Sequence, residues 1–207
     1  MRIKTFTTRG MDENCYLIIC EETSCAIAVD PGDKFSELTD FLRENSISLK
    51  AIVLTHAHYD HIDGLQWLKD KTKAPVIIGE NEAQVLASPE MNLSLMFGAD
   101  PLSMTADRLL KDGEEFSFGS LTFKTIETPG HTPGGICLYF KNEGVLFSGD
   151  SLFAMSIGRT DFPGGSYKSL VTALKEKVMT LPEETKVFPG HGPKTSVAAE
   201  RKLNPYL

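Results

Sequence analysis

The stretch LTHAHYDHIDG, residues 54–64, carries three histidines and two aspartates between His56 and Asp63, and the whole chain holds only five histidines. The run AIVL, ending at Leu54, is continuously apolar and reads as a buried strand, and GLQWLKDKT, starting at Gly64, reads as a helix. The histidine-rich stretch is therefore a strand-to-helix turn. Side chains two apart in an extended segment point the same way, so His56 and His58 face one point. Asp60 and His61, at the start of the helix, aim at a neighbouring one.

The other two histidines stand in turns of the same kind. His131 in TIETPGHTPGG and His191 in KVFPGHGP each follow an apolar strand and sit among glycines and a proline, and Asp150 in VLFSGDS occupies the same sort of place. Loops at strand ends are where a rigid scaffold gathers functional groups. Taken singly, His131 or His191 reads as an ordinary surface or core residue. All five histidines in strand-end turns point instead to metal. Imidazole and carboxylate suit zinc, iron and manganese, without the thiolates of a structural zinc site. His131 is then a candidate to complete the shell of the ion held by His56 and His58, and His191 that of the neighbouring one. Asp150 can bridge them, with positions left open for water.

With 207 residues and 41% hydrophobic content the chain can bury a sizeable core, and a single domain over 1–207 is expected. No apolar run approaches the roughly 18 residues of a membrane span. The start, MRIKTFTTRG, reads as a strand rather than a secretory signal, so a cytoplasmic protein is expected. A net charge of -7 without a basic block argues against a nucleic-acid partner. Cys15, Cys20, Cys25 and Cys137 form no C-x-x-C pair, and the first three, in or beside apolar strand-like runs, read as small buried hydrophobes.

Strands are predicted at RIKTFTT, CYLIIC, CAIAVD, AIVL, APVIIG, EEFSFG, LTFKTIET, GICLYF, GVLFSG and KVFPG. Helices are predicted at residues 36–45 with Ser36 as cap, at GLQWLKDKT and NEAQVLAS, as one piece over residues 166–181, and at 196–202. Residues 88–106 have no clear period and read as a loop or short helices flanking a site. Two clusters of strands with helices imply two sheets packed face to face, helices outside.

These residues resemble the metallo-β-lactamase fold superfamily, whose T-H-x-H-x-D-H signature and distant His, Asp and His correspond to Thr55, His56, His58, Asp60, His61, His131, Asp150 and His191. The match extends from NCYLI through VDPG to PGHG. The resemblance implies an α+β fold, a four-layer αββα sandwich of two mixed β-sheets with helices outside. It implies two divalent ions, zinc first, with iron or manganese as alternatives. One would be held by His56, His58 and His131, the other by Asp60, His61 and His191, with Asp150 shared. Asp30 would orient the ligand loops; its plainer reading is a turn residue at the Pro31–Gly32 bend.

Within the superfamily, GDSLFAMSIGRTDFPGGS, residues 149–166, is similar to the glyoxalase II-like hydroxyacylglutathione hydrolases. Full-length members carry a helical C-terminal extension; fifteen residues follow Gly192 here, which resembles the short single-domain branch. The implied activity is thioester hydrolysis by a metal-bridging hydroxide on a small-molecule thioester, with Asp60 as the catalytic residue that orients it or acts as base. Arg159 is the candidate for an anionic substrate group; its plainer reading is an ion pair with Asp161. Phe153 and Phe162 either wall the pocket or pack. The alternative is an iron-dependent persulfide dioxygenase, whose sequences share GRTD; further off stand a β-lactamase and a non-catalytic diiron module. GDSL also matches a serine-esterase motif, but Ser151 is better read as a turn residue beside a ligand.

Overall fold

The computed structural model describes residues 1–98 and 100–207. Its first sheet contains β1 (Arg2–Thr7), β2 (Asn14–Cys20), β3 (Cys25–Val29), β4 (Ser48–Val53), β5 (Val76–Gly79) and β6 (Arg108–Leu110), hydrogen-bonded in that order. β1, β2 and β3 are antiparallel, whereas β3 to β6 run parallel. Helices α1 (Ser36–Glu44), α2 (Tyr59–Ile62), α3 (Leu65–Thr72) and α4 (Ala83–Ala87) lie in the connections.

The second sheet is built from β7 (Glu115–Phe118), β8 (Leu121–Glu127), β9 (Ile136–Phe140), β10 (Val145–Gly149), β13 (Lys186–Pro189) and β14 (Thr195–Ser196). Its order is β14-β13-β10-β9-β8-β7, with a parallel pair only between β10 and β13. A separate hairpin, β11 (Leu152–Phe153) with β12 (Ser156–Ile157), projects after β10. Helices α5 (Tyr167–Ala173) and α6 (Val197–Leu203) complete the chain.

Three apolar layers account for the strand sequences. In β2, Cys15, Leu17 and Ile19 face the α1–α4 side, while Tyr16, Ile18 and Cys20 face the space between the sheets. In β9, Ile136, Leu138 and Phe140 join that central layer, and Cys137 and Tyr139 face α5 and α6. Central strands thus have no solvent face, which is why they read as unbroken apolar runs rather than alternating ones. The architecture is the expected αββα sandwich of two mixed sheets.

Local differences have physical causes. Ser36 is the first residue of α1 and not its cap; Phe35 holds the cap position without a side-chain hydrogen bond. The predicted helix over 166–181 is α-helical only to Ala173 and continues as a wider π turn over Leu174–Val178. β6, β11, β12 and β14 are two or three residues long and too short for a periodic signal. The expected loop over 88–106 is turns and irregular chain at the described residues; Ala99 lies outside them. Among the described residues no helix is long and apolar enough to cross a membrane.

Candidate metal centre

The site forms where strands of both sheets end at one edge. β4 delivers His56 and His58, and His58 is still extended (φ -66°, ψ 149°) as it caps α2, which carries Asp60 and His61. The turns after β8, β10 and β13 deliver His131, Asp150 and His191. Backbone bonds tie these turns together: Ile136 N–H donates to Thr55 O at 2.8 Å, and Gly190 N–H to Gly149 O at 2.9 Å.

Two triads result. His56, His58 and His131 each offer a ligand atom within 4.8 Å of the others, and so do Asp60, His61 and His191. Asp150 stands between them. Its Oδ1 is 3.4 Å from His61 Nε2, and its Oδ2 is 3.6 Å from His131 Nε2 and 3.7 Å from His191 Nε2. Every residue expected in the centre from sequence is brought there.

Hydrogen bonds on the far side of the rings fix which nitrogen faces inward. A carbonyl can only accept, so His131 Nδ1 donates to Arg159 O (2.8 Å) and His191 Nδ1 to Met11 O (3.0 Å), which turns each Nε2 into the site, where His131 Nε2 lies 2.9 Å from His58 Nδ1 and His191 Nε2 lies 3.1 Å from Asp60 Oδ2. His61 Nδ1 faces Asp30 Oδ2 at 3.2 Å. Asp30 also lies within ligand distance of His56 and His61, but its lone pairs are committed. Oδ1 accepts from Thr55 N–H (2.7 Å) and Oδ2 from the Thr55 hydroxyl (2.6 Å). Asp30 therefore orients the site, and its left-handed backbone (φ 51°) serves the bend as well.

The donor set fits divalent ions. Nε2 of His56 and His61 and Oδ1 of Asp150 are buried with no hydrogen-bond partner, an arrangement native interiors avoid unless something satisfies it, whereas His58 turns its Nδ1 to the triad, 2.9 Å from His131 Nε2. Mixed nitrogen and oxygen donors without sulfur suit zinc, iron or manganese alike. A hollow is also built in: a Cβ on Gly190 would overlap Asp150 Oδ1 and come within 2.7 Å of His61 Cε1.

Electrostatics divide the two triads. Burial, reinforced by neighbouring imidazoles, holds His56 well below the usual histidine range and His58 down to about 3. Their rings are neutral at pH 7, as metal binding requires. Burial opposes charge on His61 too, but Asp150 and Asp60 outweigh it and raise that imidazole well above its ordinary value. Asp150 is likewise resisted by burial yet held well below the carboxylate range by His61.

Around the centre, the Phe162 ring lies 5.6 Å from that of His58, and Phe153 lies 6.2 Å from His191. The Arg159 guanidinium sits 4.0 Å over Phe162 and gives two 2.7 Å hydrogen bonds to Asp161. Its side chain is thus engaged by Asp161, while its carbonyl orients His131. Ser151 is buried and shares a 2.6 Å hydrogen bond with Thr128. Two carboxylates gave no signal in sequence. Glu13 is buried, both its oxygens lack partners, Oε1 is 3.9 Å from His61 Nδ1, and burial pushes its carboxyl up. Glu82 is also buried, which raises it to about 7 against the pull of two backbone N–H groups.

A two-sheet sandwich with histidine and aspartate gathered at one edge defines a metallohydrolase-type fold. The family model for the metallo-beta-lactamase superfamily matches residues 8–191, and the chain belongs to that superfamily. It is 40% identical to the probable metallo-hydrolase YqgX of Bacillus subtilis (strain 168), over all of this chain and 98% of that one. It is 31% identical to the hydroxyacylglutathione hydrolase GloC of Haemophilus influenzae (strain ATCC 51907 / DSM 11121 / KW20 / Rd), over 100% and 98%. Among solved structures, the BLEG-1 B3 metallo-beta-lactamase superposes with a TM-score of 0.93 at 36% identity, covering 100% of this chain and 99% of that one. TTHA1623 in a di-iron-bound form gives 0.87 at 34% identity, over 99% and 100%.

Proposed function

We propose that the protein is a two-metal hydrolase that cleaves a small thioester of the hydroxyacylglutathione type. The carrying observation is Asp150 standing between two triads of inward-facing donors, several of them buried and otherwise partnerless. In this reading His56, His58 and His131 would hold one ion and Asp60, His61 and His191 the other, with Asp150 placed between the two triads. Ions bound there supply Lewis acidity, which lowers the pKa of water from 15.7 to about 7 and polarises a carbonyl.

The chain's own groups do the rest. Asp60 Oδ2, 3.1 Å from His191 Nε2, is half-buried and held below its ordinary value, where burial is outweighed by His61 and His191. It is an ionised acceptor at neutral pH, suited to orient an attacking water through one proton. Phe162 and Phe153 shield the rings on either side from solvent. A thiolate departs without strong acid help, which suits a site whose histidines are all committed to the two triads.

Support for the thioester class comes from the GloC relative. A β-lactam amide is the second reading, favoured by the backbone match to the BLEG-1 B3 enzyme. Iron-dependent oxidation of a persulfide would use His56, His58, His131 and Asp150 alone and leaves Asp60, His61 and His191 without a task. Zinc and iron are both compatible with the donor set. The test measures metal content of the purified protein alongside turnover of S-lactoylglutathione, simpler thioesters, a chromogenic β-lactam, and oxygen uptake with glutathione persulfide. Two equivalents of metal with thioester turnover is the expected result. β-Lactam turnover without thioester turnover, or oxygen uptake with one iron, replaces the proposal.

A further inference from the structure

Glu82 ends the short 3-10 turn Glu80–Glu82 that follows β5, and its side chain is fully buried. Oε1 accepts the Ala57 N–H at 3.0 Å, and Oε2 accepts the Gly134 N–H at 2.8 Å. Ala57 lies between His56 and His58, and Gly134 lies three residues after His131. One carboxylate therefore grips both loops that bring the first triad together. The backbone beneath is equally close. A Cβ on Gly134 would overlap the backbone of Asn81 and Glu82, and one on Gly79 would come within 2.8 Å of Gly134 O. Asn81 extends the seam by donating from its amide to Glu127.

We propose that Glu82 is a positioning residue that fixes the distance between the His56–His58 pair and His131 by holding one backbone N–H of each loop. The inference rests on the metal-centre reading above. A fully buried carboxyl group is costly, and here each of its oxygens is matched by a backbone hydrogen bond of good length. Glutamine at this position would keep one acceptor and turn an amide N–H₂ against the other backbone N–H. Aspartate, one methylene shorter, would reach one amide and leave the other buried without a partner. Asp60, His61 and His191 hang from α2 and the turn after β13, and Glu82 has no hydrogen bond to either.

The consequence is selectivity between sites, which a merely stabilising residue does not produce. Cobalt(II) affinity is measured by chelator competition in two backgrounds, His191→Ala, which leaves the first triad intact, and His131→Ala, which leaves the second. Adding Glu82→Gln or Glu82→Asp is expected to weaken cobalt about 10- to 100-fold in the first background and by less than about threefold in the second. Equal losses in both, or none in the first, overturn the assignment. So does loss of the folded state in both Glu82 variants, which makes the residue structural only. Failure of both parent backgrounds to bind cobalt overturns the metal reading itself, and this inference with it.

Discussion

Oδ1 of Asp150 lies 3.4 Å from Nε2 of His61, both atoms are buried, and neither has a hydrogen-bond partner. A carboxylate oxygen and an imidazole nitrogen facing each other this way are best satisfied by a cation held between them. Asp150→Ala and His58→Ala are each expected to lower hydrolysis at least about 100-fold, beyond the loss typical of an outer supporting residue. Circular dichroism should be unchanged, because neither side chain belongs to the three apolar layers. Turnover retained by metal-depleted His58→Ala protein would sink the mechanism.

Asp30 binds the Thr55 backbone and hydroxyl while facing His61, so it contacts two segments of the candidate metal centre at once. Asp30→Asn should weaken metal binding roughly 10- to 100-fold. Loss of a buried acceptor should also cost about 1–3 kcal/mol of stability. Calorimetric titration with zinc reads the first effect and urea unfolding in chelator the second. Unaltered zinc affinity leaves Asp30 as a turn residue only.

Arg159 is bidentate to Asp161 at 2.7 Å, and both side chains are exposed. If the guanidinium serves an anionic substrate, Asp161 competes for it. Asp161→Ala should then lower KM for acidic thioesters and Arg159→Ala should raise it several-fold, with kcat steady in both. KM values untouched by either change assign the pair to the surface alone.

Much of this centre is legible in sequence because its groups are scarce residues at the ends of obvious strands. Five histidines among 207 residues, gathered in three turns after apolar strands, left few arrangements open. The strand faces were harder to read, since β2 and β3 are covered on both sides and carry no alternation. The supporting shell was harder still. Glu82 sits in an ordinary helical-looking run, NEAQVLAS, and only the approach of residues 57 and 134 gives it work. Glu13 precedes a strand like any exposed turn residue, yet it is buried against His61. The engagement of Arg159 by Asp161 is local and was readable; the use of its carbonyl by His131 was not.

Titration of the metal-free protein follows from His58, which burial lowers from 6.5 to about 3. An unfolded chain protonates this imidazole near 6.5, whereas the folded site resists until about 3. Between those values the unfolded state binds more protons, so stability is full above 6.5 and declines as pH falls toward 3. His58→Gln removes this contribution and should flatten the pH dependence of the urea midpoint between pH 4.5 and 7 in chelator. His61 acts oppositely: its raised value makes its contribution present below 6.5 and lost as pH rises, and it is common to both proteins. Parallel curves would show that the His58 ring is not buried in solution.

Ser151, bonded to Thr128 and buried, has no route to act as a nucleophile. The protein should be unaffected by serine-directed fluorophosphonates, and Ser151→Ala should keep any hydrolytic turnover within a few-fold. Covalent labelling at Ser151 would reverse that assignment.

Gly190 shows how little room the candidate metal centre has to spare. A single methyl at that position would sit on Asp150 Oδ1 and against the His61 ring, within the proposed second metal position. The sandwich would be left intact beneath a plugged mouth. If the metal reading holds, one carbon atom at Gly190 would separate a filled centre from an empty one while the sandwich beneath it stands.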